Sequence, residues 1–482
     1  MTDERDIVLD ILLHGEKSNK GTSAGVRNAL DCRADLSDTQ RSFIKRLADG
    51  CIGDAILLDS VIDMFSRKPV SKLRPVIRMS LRMGIYQILF MDSVPDSAAC
   101  NEQVKLVRKY GLGELSGFVN AVLRNTARNR DRILDDIRNT SSLSVKYSIP
   151  DWILRIWDEQ YGAARAEKNA AAMQTVRPLT VRTRPVFNSS SMFTDKAGRK
   201  ISSEADLVSL WETDGIRVSR AKWIPHAYYL SGTGNVRELS GFDEGLFTVQ
   251  DEGSMMVAYA AGLSGGETVA DVCAAPGGKA LHCADLLLEK AGSGSAPAKG
   301  HVAAYDLSDK KVGKITENID RLSLGSIVTA KVRDARELHT EDENIADVVI
   351  CDLPCSGLGV MGRKKDIRYR VKREDLDDLQ ALQREILRSA VHYGKAGAVL
   401  IYSTCTIDRI ENDDNAVYIQ KELGLIPDPI GAYLPKAADS AVISGITDAA
   451  GKTDNNGNCL FMEPGVHGTD GFYVARFRIP RV

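Results

Sequence analysis

Through the first 140 residues apolar side chains recur at helical spacing, as in Ile7, Leu9, Ile11 and Leu12, and again in Ile52, Ala55, Ile56, Leu58 and Val61. One face of an α-helix repeats at that interval, so the segment predicts a set of amphipathic helices. Pro69, Pro75 and Pro95 fall where such helices would break. From about 141 to 240 the pattern changes. Proline and β-branched residues rise, as in RPLTVRTRPVF, and residues 179–182 and 215–218 predict short strands of a small α/β module behind a linker. From about 241 to 482 the runs ETVADV, HVAAYD, IVTAKV, ADVVICD and GAVLIYST alternate with helix-length segments. That alternation predicts a parallel sheet with helices on both faces, whose ligands bind at the carboxyl ends of the strands. Residues 291–300, AGSGSAPAKG, predict a loop.

Composition narrows the picture. The chain has 482 residues, enough for about three domains, and its 43% hydrophobic content supports ordinary buried cores. A net charge of -2 excludes a uniformly basic coat but not local basic patches. No apolar run approaches the ~20 residues of a membrane span, and the acids in MTDERDIVLD are unlike a signal peptide, so a cytoplasmic location is expected. Nine scattered cysteines, an odd number, read as reduced thiols rather than a disulfide framework.

Two basic clusters stand out. Residues 67–91 carry Arg67, Lys68, Lys72, Arg74, Arg78 and Arg82 with no acid, and Arg74, Arg78 and Arg82 would share one helix face. Residues 363–373 carry Arg363, Lys364, Lys365, Arg368, Arg370, Lys372 and Arg373 against Asp366 alone. Either cluster can be a solvated face. Either can equally meet RNA phosphates, and the second follows closely on a motif that carries chemistry.

That chemistry begins at Asp271. A strand ends there, and Cys273, Ala274, Ala275, Pro276, Gly277, Gly278 and Lys279 form a Gly-rich turn into a helix over 279–288. The turn lacks both Gly-Lys-Ser/Thr and G-x-G-x-x-G, which argues against a polyphosphate cradle. Asp306 ends the next strand, where a carboxylate takes ribose hydroxyls, and Asp334 follows the third, where it would meet an adenine amino group. Together they suit an adenosine cofactor without polyphosphate, S-adenosyl-L-methionine being the common one. Asp352 and Cys355 follow the strand ADVVI, and Cys405 follows AVLI in the sequence YSTCT. Cys351, Cys355 and Cys405 form no C-x-x-C pair and have no nearby His, so no metal site is assigned.

DVCAAPGGK, DLPCSGLG and YSTCT followed by Glu411-Asn412 resemble the NOL/NOP/Sun family of RNA cytosine-C5 methyltransferases, and FTVQDEGSMM resembles the family's entry segment. RPVIRMSLRMGIYQILFMDSVPDSAACNEQV with FVNAVLRN resembles a NusB-type helical RNA-binding domain, Asn101-Glu102 starting one helix and residues 118–124 lying on the next. The resemblance implies an α/β architecture: a NusB-like all-α domain over 1–140, a linker and small RRM-like α/β module over 141–240, and a Rossmann-like methyltransferase domain over 241–482. It assigns attack on cytosine C6 to Cys405 and help with release to Cys355. Asp352 is suited to bond at N3. The NusB-like front favours small-subunit ribosomal RNA as partner, without an obligate protein partner and as a monomer. The same chemistry on tRNA, or a non-catalytic ribosome assembly factor, are the alternatives.

Overall fold

The structure, a computed structural model, describes residues 4–17, 22–33, 35–185, 187, 192–291, 299–437, 443–447 and 453–481. Most of the loop expected at 291–300 therefore lies outside the described residues. The chain divides into two units, Met1–Thr175 with Met361–Arg373, and Val176–Val360 with Glu374–Val482. The helical unit thus runs past the expected boundary at 140, and the small module expected over 141–240 falls largely within the second unit.

The first unit is helical, as its periodicity requires. Successive helices span Glu4–Lys17, Thr22–Asp31, Asp38–Gly53, Ala55–Phe65, Pro75–Phe90, Asp96–Lys109, Ser116–Arg128 and Arg130–Asn139, followed by Leu143–Tyr147, Asp151–Tyr161 and Ala163–Ala172. Local signals set their starts. Ser37 and Gln40 form a reciprocal capping box, and Pro75 occupies a first-turn position where a missing N–H costs nothing. Asn101-Glu102 does not open a helix. The helix begins at Asp96, directly after Pro95, and carries both residues in its interior.

The helix Pro75–Phe90 is central. Ile77, Leu81, Ile85 and Ile88 pack into one apolar cluster, and Met79 and Met83 into another. A helix buried on two sides has little surface left for a bare basic stripe, which corrects the expectation for Arg78 and Arg82. Arg82 is forked onto Asp59 through Nε (2.7 Å) and Nη2 (2.6 Å). Arg78 is paired with Glu16. Their side chains are only 16% and 14% exposed. Arg74, before the helix, stays exposed 3.6 Å from Glu114.

Residues 361–373 leave the second unit and return to it after completing the first. Arg368 is wholly buried. Its Nη1 donates to the carbonyls of Gly53 (3.3 Å), Tyr147 (3.2 Å) and Ser148 (3.1 Å), and its Nη2 to that of Met361 (3.2 Å). Gly53 and Tyr147 end two helices, so the guanidinium satisfies orphan carbonyls where the helix dipoles favour a cation. The Tyr369 hydroxyl joins it, 3.0 Å from the Gly53 carbonyl and 2.9 Å from that of Ser148. The expectation that Arg368 meets RNA is corrected: its donors are spent inside the fold. Lys365 packs half-buried against Gly53, while Arg363 and Lys364 are exposed.

The second unit holds a four-stranded sheet, a nine-stranded sheet and a short two-stranded one at residues 193–201. In the small module β1 (Leu179–Thr183), β2 (Arg217–Arg220), β3 (Ala227–Ser231) and β4 (Phe247–Val249) form an antiparallel sheet in the order β2-β3-β1-β4. The strand expected at 215–218 begins later, at Arg217. Buried Arg182 and Arg184 both reach Asp285 (2.8 and 2.7 Å), joining this module to the helix Gly278–Ala291.

The main sheet contains the five expected strands, β5 (Thr268–Asp271), β6 (His301–Asp306), β7 (Val328–Val332), β8 (Ala346–Asp352) and β9 (Gly394–Thr404), parallel in the order β9-β8-β5-β6-β7. Alternate residues feed two cores. Val269, Val302, Ala304, Val348 and Ile350 face one, with the helices Glu252–Ala261 and Gly278–Ala291. Ala270, Ala303, Tyr305, Val349 and Cys351 face the other, with the helices Asp375–Ala390 and Asp413–Lys421. The sheet then continues antiparallel through β10 (Ile443–Thr447), β11 (Thr453–Met462) and β12 (Phe472–Arg478), β12 pairing with β9. The strand order reverses at β5, between β6 and β8, and sheets of this kind hold their ligand crevice at the carboxyl ends of the strands at such a switch point.

Candidate active site

The candidate site is built from residues at or just beyond the carboxyl ends of the parallel strands. After β5 the backbone turns through Cys273–Gly277 into the helix Gly278–Ala291. Gly277 has φ +109°, and a Cβ there would press on Leu281 at 3.0 Å, so only glycine fits. Ala274 N–H donates to the Tyr305 carbonyl (2.8 Å), and Ala275 N–H to Asp306 Oδ2 (2.9 Å). Asp306 also accepts from Leu307 N–H (2.7 Å) and lies 2.9 Å from Lys311 Nζ. The turn and the carboxylate at the end of β6 thus form one structure.

The carboxylates of Asp271, Asp306 and Asp352 lie close enough to feel one another's charge. Asp271 is buried; its Oδ1 accepts from Cys273 N–H (3.3 Å), and its Oδ2 has no hydrogen-bond partner among the described residues. Burial, and next the neighbouring Asp352 charge, raise its pKa to about 7. Asp352 accepts from Ser403 Oγ (2.8 Å) and pairs through Oδ2 with Lys279 Nζ (2.7 Å). Burial opposes the charge of Lys279, but Asp352, then Asp271 and Cys405, outweigh it and raise its pKa. Lys279 therefore reaches from the Gly-rich turn to the carboxyl end of β8. Asp334 is gripped by Arg336, Nε at 3.0 Å and Nη2 at 2.5 Å, which also pulls its pKa down. Both its oxygens are thus engaged.

Cys355 and Cys405, distant in sequence, bring their sulfurs to 3.4 Å. That is beyond a disulfide and within reach of an S–H···S contact. The Cys405 bond and burial raise the Cys355 pKa well above that of a free thiol. Burial also pushes up the Cys273 and Cys351 thiols, so neither is an available thiolate.

The orphaned oxygen of Asp271 tests the cofactor reading. S-adenosyl-L-methionine carries an ammonium and a sulfonium, and a buried carboxylate oxygen without a partner is the acceptor such a cation needs. Asp306 suits ribose hydroxyls, and the exposed apolar side chains of Leu307, next along the chain, and Val332, the register partner of Asp306 on β7, would offer an adenine apolar surface. Leu307 and Val332 escaped sequence reasoning because single exposed apolar residues are common. Ser403, Gln383, Glu411 and Asn412, all buried, also escaped a role. The only signal for the last two was their place after YSTCT.

Comparison with known proteins decides the lineage. Residues 258–478 match the family described as 16S rRNA methyltransferase RsmB/F, and residues 2–128 the NusB family. A probable ribosomal RNA small subunit methyltransferase B of Bacillus subtilis is 33% identical over 99% of this chain and 99% of its own length. The chain belongs to the RsmB family. A Synechocystis relative with the same description is 29% identical over 99% of this chain and 100% of its own. RsmB-family membership makes the chain an S-adenosyl-L-methionine-dependent RNA cytosine-C5 methyltransferase. The fold is also that of solved structures. PH0851 aligns over 99% of both chains with a TM-score of 0.74 at 23% identity. NSun6 from Pyrococcus horikoshii aligns over 68% of this chain and 98% of its own, with a TM-score of 0.55 at 19% identity. Among the described residues no helix is long and apolar enough to cross a membrane.

Proposed function

We propose that this RsmB-family chain methylates 16S ribosomal RNA at C5 of cytosine 967 through a covalent bond between Cys405 and C6. The supporting observation is the pair of thiols 3.4 Å apart beside the Lys279–Asp352 ion pair. Its relatives are named for the small ribosomal subunit, which supports the substrate. The helical unit, matched by the NusB family, is the RNA-binding part, with Arg74, Arg363 and Lys364 on its surface. We place the protein in the cytoplasm with its ribosomal substrate, acting as a monomer.

Cytosine C5 is a weak nucleophile until a thiolate adds to C6. Lys279, held cationic, favours the thiolate of Cys405, and the Cys355 proton can steady it from the other side. As Cys405 Sγ bonds to C6, charge develops at N3, where Asp352 delivers a proton drawn from Lys279. Bound S-adenosyl-L-methionine, held by Asp271 and Asp306, supplies an electrophilic methyl group. The C5 proton then passes to solvent, Cys405 leaves as thiolate while the C5–C6 double bond re-forms, a release that Cys355 assists, and N3 returns its proton through Asp352 to Lys279. The target base must be out of its stack to enter the crevice.

Bisulfite mapping of total RNA from cells with and without the protein tests the substrate; loss of methylation only in tRNA would overturn the ribosomal reading. Denaturing gels test the roles of the thiols. Cys405→Ala should abolish transfer and leave no RNA adduct, whereas Cys355→Ala should accumulate one. The reverse pattern would exchange the two roles.

A further inference from the structure

Two side chains adjacent in sequence flank the two thiols. Glu411 is wholly buried and holds the Cys355 turn: Ser356 N–H donates to its Oε1 (2.9 Å), and Ser356 Oγ donates to its Oε2. Gln383 Nε2 adds a bond to the same Oε1 (3.0 Å) and another to the Pro354 carbonyl (2.8 Å). Residues 354 and 356, on either side of Cys355, are thereby fixed.

Asn412 does the same for Cys405. Thr404 Oγ1 donates to its Oδ1 (2.5 Å), and its Nδ2 donates to the Thr406 carbonyl (3.1 Å). Asn412 N–H in turn bonds the Asp408 carbonyl (3.1 Å), anchoring the pair at the head of the helix Asp413–Lys421. The halves are cross-braced where Ser356 Oγ lies 2.9 Å from Thr406 Oγ1. A backbone approach braces them again: Gly359 N–H donates to the Cys405 carbonyl (3.1 Å), and a Cβ on Gly359 would collide with that carbonyl at 2.8 Å.

We propose that Glu411 and Asn412 are positioning residues, a two-armed brace that sets the distance between the Cys355 and Cys405 sulfurs. Asn412 bonds both neighbours of Cys405, Glu411 bonds Ser356 directly and reaches Pro354 through Gln383, and one peptide bond joins the arms. A displacement of either arm therefore changes the thiol separation directly. Buried hydrogen bonds to a carboxylate are the strong kind, suited to holding sulfurs that must meet one pyrimidine ring in sequence.

The test reads the spacing without substrate. Full-length wild type, Glu411→Ala, Glu411→Gln, Asn412→Ala, Asn412→Asp and Ser356→Ala are treated with diamide. Diamide takes one hydrogen from each thiol as the S–S bond forms and is reduced to the hydrazine. The Cys355–Cys405 peptide is followed by mass spectrometry in samples whose circular dichroism matches wild type. Glu411→Ala and Asn412→Ala should form it at least tenfold more slowly, and Glu411→Gln, which keeps an acceptor for Ser356 N–H, should recover most of the rate. Should either alanine variant not fold, Ser356→Ala and Asn412→Asp, each removing a single donor, should show the same slowing. Wild-type rates in all folded variants would overturn the brace.

A second arm rests on the covalent mechanism proposed above. Glu411→Ala should accumulate an RNA adduct like Cys355→Ala, and Asn412→Ala should form none, like Cys405→Ala. Should the cysteine controls leave methyl transfer intact, the mechanism fails, while the diamide rates still decide the brace.

Discussion

Replacing Arg368 by alanine separates an architectural arginine from an RNA-binding one. The substitution removes four hydrogen bonds, to the carbonyls of Gly53, Tyr147, Ser148 and Met361. A bond to a charged group contributes roughly 1.5–3 kcal/mol, but bonds that share one guanidinium do not add in full. Truncation also relieves the desolvation of the buried cation, so part of the gross loss is returned. The net destabilisation should be about 3 kcal/mol, at the low end for breaking a buried charge cluster. For a unit of this size that lowers the midpoint of its thermal transition by roughly 6–12 °C. Calorimetry of the full chain measures the shift, and RNA binding across a salt series measures the other reading. If Arg368 instead met a phosphate, its removal would flatten the slope of log K against log salt by about 0.7–0.9. The reasoning predicts a lowered transition and an unchanged slope at temperatures where the variant is folded. An unshifted transition with a flattened slope would refute it.

Asp306→Ala should weaken S-adenosyl-L-methionine binding by about 1.5–3 kcal/mol, read by calorimetry, through loss of charge-assisted ribose bonds and of the Ala275 anchor; unchanged affinity would remove Asp306 from the site. Burial raises Glu411 from 4.5 to about 7, so the fold binds a proton that the unfolded chain releases. Its contribution to stability is complete below about pH 4.5 and lost as pH rises through about 7; the stability of wild type relative to Glu411→Gln should therefore fall by roughly 3 kcal/mol across that window in urea titrations, and a flat difference would show that the carboxyl titrates normally. Replacing Arg74, Arg363 and Lys364 together by alanine should flatten the RNA salt slope by about 0.7–0.9 for each phosphate that these side chains neutralise; a wild-type slope would return them to a solvated surface.

Features set by neighbouring residues were legible in the sequence. Helical spacing placed the front helices, Pro75 and Pro95 marked two starts, and five apolar runs gave the five parallel strands of the main sheet. The Gly-rich turn, Asp306, Asp352 and the two thiols were legible because strand ends in a parallel sheet converge on one crevice. The antiparallel extension β10–β12 was not, since its strands lack a helix-strand alternation to announce them. The basic clusters misled for a related reason. A sequence shows that Arg78, Arg82 and Arg368 are charged but not that Glu16, Asp59 and four backbone carbonyls already hold them.

The sequence alone determined which elements form and which reactive groups stand at their ends, because hydrogen bonding within a helix, turn chemistry and side-chain alternation depend on residues a few positions apart. Only the tertiary structure decided that residues 361–373 complete the helical unit, that Lys279 pairs with Asp352, and that Glu411 and Asn412 grip opposite sides of a thiol pair. The physical reason is common to all three. A buried charge or polar group is tolerated only where partners meet it, and those partners are chosen by how distant segments pack, a choice that leaves no periodic mark on the chain.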